Sequence, residues 1–128
     1  MIPKKAATTM AQMMVSITYA KDNPDKATIG FVVANAAAAS GVETAVFLSS
    51  EAVHLSQQGY SDDIHEEGFK PLTELIETFI ASDGQIWVCS PCFKRRGLAE
   101  DKLVGNALIT GAAKAVEFLT GGAACMSY

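Results

Sequence analysis

The chain has 128 residues, 49% of them hydrophobic, with ten Lys and Arg against fourteen Asp and Glu. The net charge of −4 and pI near 5.0 leave no broad basic face for nucleic acid, and no apolar stretch reaches the ~20 residues that cross a bilayer. The apolar content argues against disorder, and the length fits one domain, residues 1–128, with a sizeable core.

Residues 1–11 read as a loosely ordered lead-in, and Lys4, Lys5 and Ala6-Ala7-Thr8-Thr9 are too polar for a signal-peptide core. The first strand is expected at 13–19, an apolar run with β-branched residues. Asn23 is a good N-cap and Pro24 suits the first helical position, so a helix should run to about Ser40 and stop at Gly41. Its alanine run, 36–39, permits close packing against a sheet or a partner subunit. A second strand is expected at Glu43–Leu48, a short helix at 52–58 ended by Gly59, and a polar acidic surface loop at 60–68. Pro71 opens a clear helix, with Leu72, Leu75, Ile76, Phe79 and Ile80 at the spacing of one buried face. Asp83-Gly84 ends it, and a third strand follows at 85–88. Then come a short helix at 98–104, a short strand at 106–110 and a helix at 111–120 with Ala112, Ala115, Val116 and Leu119 on one face. Gly121-Gly122 breaks that helix before a last strand at 123–128. Strands separated by helices imply parallel pairing through right-handed crossovers. The expected fold is α/β, a three-layer α/β/α sandwich with a mainly parallel sheet of about five strands, flavodoxin-like in its winding.

Parallel strands point their carboxyl ends to one edge, where ligands bind. The loops after Tyr19, Ser49-Ser50 and Cys89 should converge there. The third strand leads directly into Cys89-Ser90-Pro91-Cys92-Phe93-Lys94-Arg95-Arg96-Gly97. The thiolate is the reactive form of cysteine, and nearby positive charge stabilises it. A helix starting after Cys89, or Lys94, Arg95 and Arg96 folding back, would lower its pKa. Such a thiolate attacks a disulfide, persulfide or peroxide, and Cys92 can resolve the adduct. The competing reading is a buried strand-end thiol at Cys89, with Cys92 equally open to a structural role. Cys125, inside the last apolar strand, is expected to pack in the core.

Lys94, Arg95 and Arg96, with Ser49, Ser50 and His54 near the same edge, are the candidates for binding an anion or substrate. A solvated charge run and a packing histidine are the bland alternatives. His65 sits in the acidic loop, and no paired carboxylate marks Glu51 as a catalyst. One Cys-x-x-Cys pair falls short of the four ligands of a structural zinc site, so neither metal nor cofactor is expected. The dinucleotide fingerprint, the P-loop and the nucleophile elbow are all missing. An odd count of three cysteines is not a secreted disulfide framework, and a cytoplasmic protein is expected, with no membrane or nucleic-acid partner.

The pattern of a strand followed by Cys89-x5-Arg95-Arg96-Gly97 resembles the DsrE/DsrF-like (DsrE/TusD-type) sulfurtransferase-related family. Ala45-Val46-Phe47-Leu48 followed by Glu51-Ala52-Val53 is similar to that family's second strand and turn. The resemblance covers the chain from about Met13 to Tyr128. It implies a small cytoplasmic sulfur carrier, a trimer or hexamer of identical or related subunits, served by donor and acceptor proteins. By spacing, it puts the sulfur-accepting cysteine on Cys89. Cys92 stands where relay subunits commonly have a small apolar residue, which suggests intramolecular release of the sulfur. Sulfur transfer through a Cys89 persulfide, with Cys92 resolving, is therefore the leading expectation. A non-catalytic oligomeric binding module and a dithiol oxidoreductase are the alternatives.

Overall fold

The computed structural model describes residues 11–128. All of the expected lead-in except Ala11 lies outside the described residues.

The apolar runs form β1 (Gln12–Ile17), β2 (Glu43–Leu48), β3 (Gln85–Cys89), β4 (Leu108–Thr110) and β5 (Ala124–Ser127). They make one sheet in the order β4-β3-β2-β1-β5, with every pair parallel. Parallel neighbours cannot be joined by tight turns. The connecting chain folds into α1 (Pro24–Ala39), α2 (Leu72–Ala81), α3 (Ser90–Arg95) and α4 (Ala112–Thr120), with 3-10 segments at Ser50–Ser56, Tyr60–Asp63 and Glu100–Lys102. This is the expected α/β fold.

Local chemistry sets the boundaries. The Asn23 side chain accepts the Lys26 N–H at 3.2 Å and Pro24 opens α1, so two unpaired N-terminal donors are dealt with at once. Gly41 follows the helix with φ +81°, a conformation that favours glycine. On α2, Leu72, Leu75, Ile76 and Phe79 are buried, while Ile80 lies at the margin of that face.

Strand alternation divides the apolar side chains between two faces. On one face Val15, Ile17, Val46, Leu48, Ile86 and Val88 pack against Ala27, Phe31 and Ala34 of α1 and Leu72, Ile76 and Phe79 of α2. On the other, Met14, Ala45 and Trp87 meet α4 through Ala115, Phe118 and Leu119.

Four expectations are corrected. The short helix is at Ser90–Arg95, not 98–104, where only a 3-10 turn forms. Pro91 lacks the N–H that a first turn leaves unpaired, so it starts this helix instead of blocking it. The acidic stretch at 60–68 is not wholly a surface loop, since it holds a 3-10 turn and buries Ser61 and Ile64. Of the apolar face expected on α4, only Ala115 is buried, and Val116 is 56% exposed. Cys125 is exposed and is not a core residue. It lies on β5, an edge strand paired only with β1.

Candidate functional site at the carboxyl edge of the sheet

β1, β2 and β3 all end at one edge, as their parallel register requires. There the Ser49 N–H donates to Ile17 O at 3.1 Å, tying the end of β1 to the turn after β2. Ser50 then takes φ +54°, rare for a residue with a side chain. In that conformation its N–H donates to Cys92 Sγ at 3.2 Å.

Cys89 closes β3, and Cys92 lies in the first turn of α3. Phe93, almost fully buried, anchors the helix to the larger core, so Cys92 is held half-buried beside Cys89. The two thiols lie near enough for each to bear on the other's ionisation. Burial pushes the Cys89 thiol up. The Cys92 amide and the Arg96 charge oppose that without overcoming it, while the neighbouring Cys92 thiol reinforces it. Burial also opposes ionisation of Cys92, but the Ser50 amide, the Cys89 thiol and the Arg96 and Arg95 charges outweigh it and hold its pKa below the usual thiol range. The depressed thiol is therefore Cys92, the reverse of the sequence expectation. A donor aimed at a sulfur favours its anion, and that donor reaches Cys92 from the β2 turn.

Arg96 is fixed by two contacts. Its Nε donates to Glu51 Oε1 at 3.1 Å and its Nη1 to Cys92 O at 3.2 Å. The other Glu51 oxygen, Oε2, lies 3.3 Å from His54 Nε2, and the His54 ring stacks on Tyr60 with centroids 5.1 Å apart. Of the predicted residues, Cys89, Cys92, Ser50, Arg96 and His54 gather around this edge, with Ser49 in the turn. Lys94 and Arg95 are on α3 but exposed, and His65 is exposed, its Nε2 2.7 Å from Phe69 O in its own loop. Glu51 is the residue the sequence reading set aside. Its i,i+3 spacing to His54 was visible, but the pairing with Arg96 spans 45 positions. Among the described residues no three His, Cys, Asp or Glu side chains gather as a metal site would require.

A model of the DsrE/DsrF-like family matches residues 11–128. The fold is similar to that of the ychN protein from E. coli, with a TM-score of 0.75 and 16% identity over 94% of this chain and all of that one. It is also similar to a protein of unknown function, MTH1491, from Methanobacterium thermoautotrophicum, with a TM-score of 0.68 and 14% identity over 92% of this chain and 99% of that one. Identities this low speak to the fold alone. An uncharacterized protein of Methanocaldococcus jannaschii is 25% identical over 117 residues, 91% of this chain and 42% of that protein. The chain thus spans less than half the length of that relative.

Proposed function

The chain belongs to the DsrE/DsrF-like family, a group generally related to sulfur relay, and from that premise we propose that it carries sulfane sulfur on the Cys89–Cys92 dithiol. The observation that supports this best is the Ser50 N–H directed at Cys92 Sγ at 3.2 Å. Thiolate character sets the rate of sulfur exchange, so Cys92 is the entry nucleophile. It attacks the outer sulfur of a donor persulfide, forming Cys92–S–SH and releasing the donor as its thiolate. Cys89, once deprotonated, attacks the inner sulfur of that persulfide. This forms the Cys89–Cys92 disulfide and releases hydrosulfide, and a dithiol reductant then restores both thiols. An acceptor protein that takes the outer sulfur instead leaves Cys92 reduced. This order reverses the one implied by the spacing to Arg95-Arg96-Gly97, which puts the persulfide on Cys89. Arg96, and Arg95 at longer range, supply the positive charge.

Exposure to a persulfide donor followed by mass spectrometry tests the reading. The expected result is a gain of about 32 Da per sulfur on Cys92, reversed by reductant. Cys89→Ser should keep the gain and lose the internal disulfide, and Cys92→Ser should lose uptake. A gain that moves wholly to Cys89 would restore the order implied by spacing. No gain on either thiol would reject sulfur carriage. The same thiol contact also favours dithiol oxidoreduction. That reading gains if the protein turns over disulfides while never retaining sulfur.

Assembly into a trimer or hexamer, or with related subunits, forms part of the proposal. It is supported by the exposed apolar side chains Leu108, Val116 and Met126, which are 49%, 56% and 44% exposed. Native mass spectrometry that finds only monomer at micromolar concentration would remove it. Among the described residues no helix is long and apolar enough to cross a membrane.

A further inference from the structure

A second concave site shares no side chain with the thiol edge. A cavity of about 510 Å3 opens between the end of the first 3-10 segment, the Tyr60–Asp63 turn, α2 and the chain at 104–105. That volume falls in the range of small-molecule sites. Its apolar wall includes Ile76, Ile80 and Val104. Gln57 and Gln58 also line it, but their side-chain amides are engaged with Ala99 and Leu103, so they brace the wall.

The remaining polar groups share one character. Among the described residues, Asp62 and Glu77 are the charged groups lining the cavity, both acidic, with no Lys or Arg beside them. Neither carboxylate forms an ion pair among the described residues. Thr73 donates to Asp62 Oδ1 at 3.0 Å, which orients that carboxylate. Ser61, only 4% exposed, also lines the cavity, and its Oγ has no hydrogen-bond partner among the described residues.

We infer that this cavity binds a small aliphatic ammonium compound, its carbon chain along Ile76, Ile80 and Val104 and its charged end at Asp62 and Glu77. An anionic ligand would meet only like charge there. A neutral alcohol would gain the apolar contact without the ion pairs. The inference does not depend on the sulfur reading, because none of these residues touches a thiol.

Titrating the full 15N-labelled chain with hexylamine, hexanol and hexanoate at neutral pH and low salt tests it. Hexylamine should bind in the millimolar range, with amide shifts confined to residues 57–62, 73–81 and 104–105. Hexanol should bind several-fold more weakly, and hexanoate should not bind. Asp62→Asn and Glu77→Gln should each weaken hexylamine about twofold to fivefold, the size of a partly exposed ion pair. Ser61→Ala, whose hydroxyl oxygen is closed off from the cavity, should leave hexylamine binding unchanged. Equal binding of hexanol and hexylamine would overturn the inference. So would unchanged affinity in both carboxylate variants, or shifts centred elsewhere. Sulfur uptake measured on the same variants should be unchanged, so the two proposals fail separately.

Discussion

The two faces of the sheet are finished differently. On the face under α1 and α2, Phe31 and Phe79 meet edge to face with centroids 6.0 Å apart over fully buried Val15, Val46 and Val88. On the other face, among the described residues, a single nine-residue helix covers Met14, Ala45 and Trp87, and Val116 of that helix is exposed. The same strand alternation feeds both faces, so the strands themselves are not the cause. The difference lies in how much helix each face receives. One face is closed by the chain's own helices, and on the other Val116 stays 56% exposed among the described residues. The thiol site belongs with the closed side, because Phe93 roots α3 in the larger core. Cys125 lies on the exposed edge strand.

The largest effect should come from the closed face. Phe31→Ala is expected to remove about 3–5 kcal/mol of stability in urea unfolding, the usual result of emptying a fully buried aromatic site. A loss under about 1 kcal/mol would mean that this face is no better packed than the other.

Reactivity comes next. Arg96→Gln removes a charge that depresses Cys92 and frees Glu51. The midpoint of Cys92 alkylation should move up toward that of ordinary cysteine, and its rate at neutral pH should fall severalfold, with Cys125 unaffected as an internal control. Equal slowing of both thiols would indicate a global change, not a local one.

The pH dependence of stability separates the two coupled thiols. Cys92 is depressed in the folded chain, so its contribution is complete above the ordinary thiol range and is lost as pH falls through the depressed value. Cys89 is raised, so folding loses stability as pH climbs from the ordinary thiol value toward the raised one. Across that window, Cys92→Ser should lose the stability the native chain gains above the depressed value, and Cys89→Ser should lose the native chain's alkaline destabilisation. Parallel curves for the two variants would contradict the opposite shifts.

The smallest effect on folding belongs to the open face. Val116→Lys should change the stability of the monomer by no more than about 0.5 kcal/mol, because the side chain is already exposed. In sedimentation it should nevertheless shift the assembly toward monomer. An unchanged assembly would move the proposed interface elsewhere.

Some of this was legible because it is local. Asn23 and Pro24 announce α1, the spacing from Leu72 to Phe79 marks α2, and Glu43–Leu48 reads as a strand within its observed bounds. Cys-x-x-Cys at the end of a buried strand was enough to find the candidate site. A helix starting after Cys89 was one of two expected ways to activate that thiol, and it forms at Ser90–Arg95 because Pro91 is compatible with a first helical turn. Cys125 misled because an apolar strand looks the same at an edge and at the centre of a sheet.

By itself the sequence determined the order and type of most elements, the parallel winding and the position of the dithiol. Each of these follows from periodicity, capping or short spacing along the chain. Only the tertiary structure decided that the Ser50 amide meets Cys92 rather than Cys89. Burial, the Ser50 amide and Arg96 act on the two sulfurs through space, and the Ser50 amide reaches Cys92 from 42 positions away. The same holds for Glu51 beside Arg96 and for the unpaired Ser61 hydroxyl. Their surroundings are assembled by the crossovers, and no local pattern encodes them.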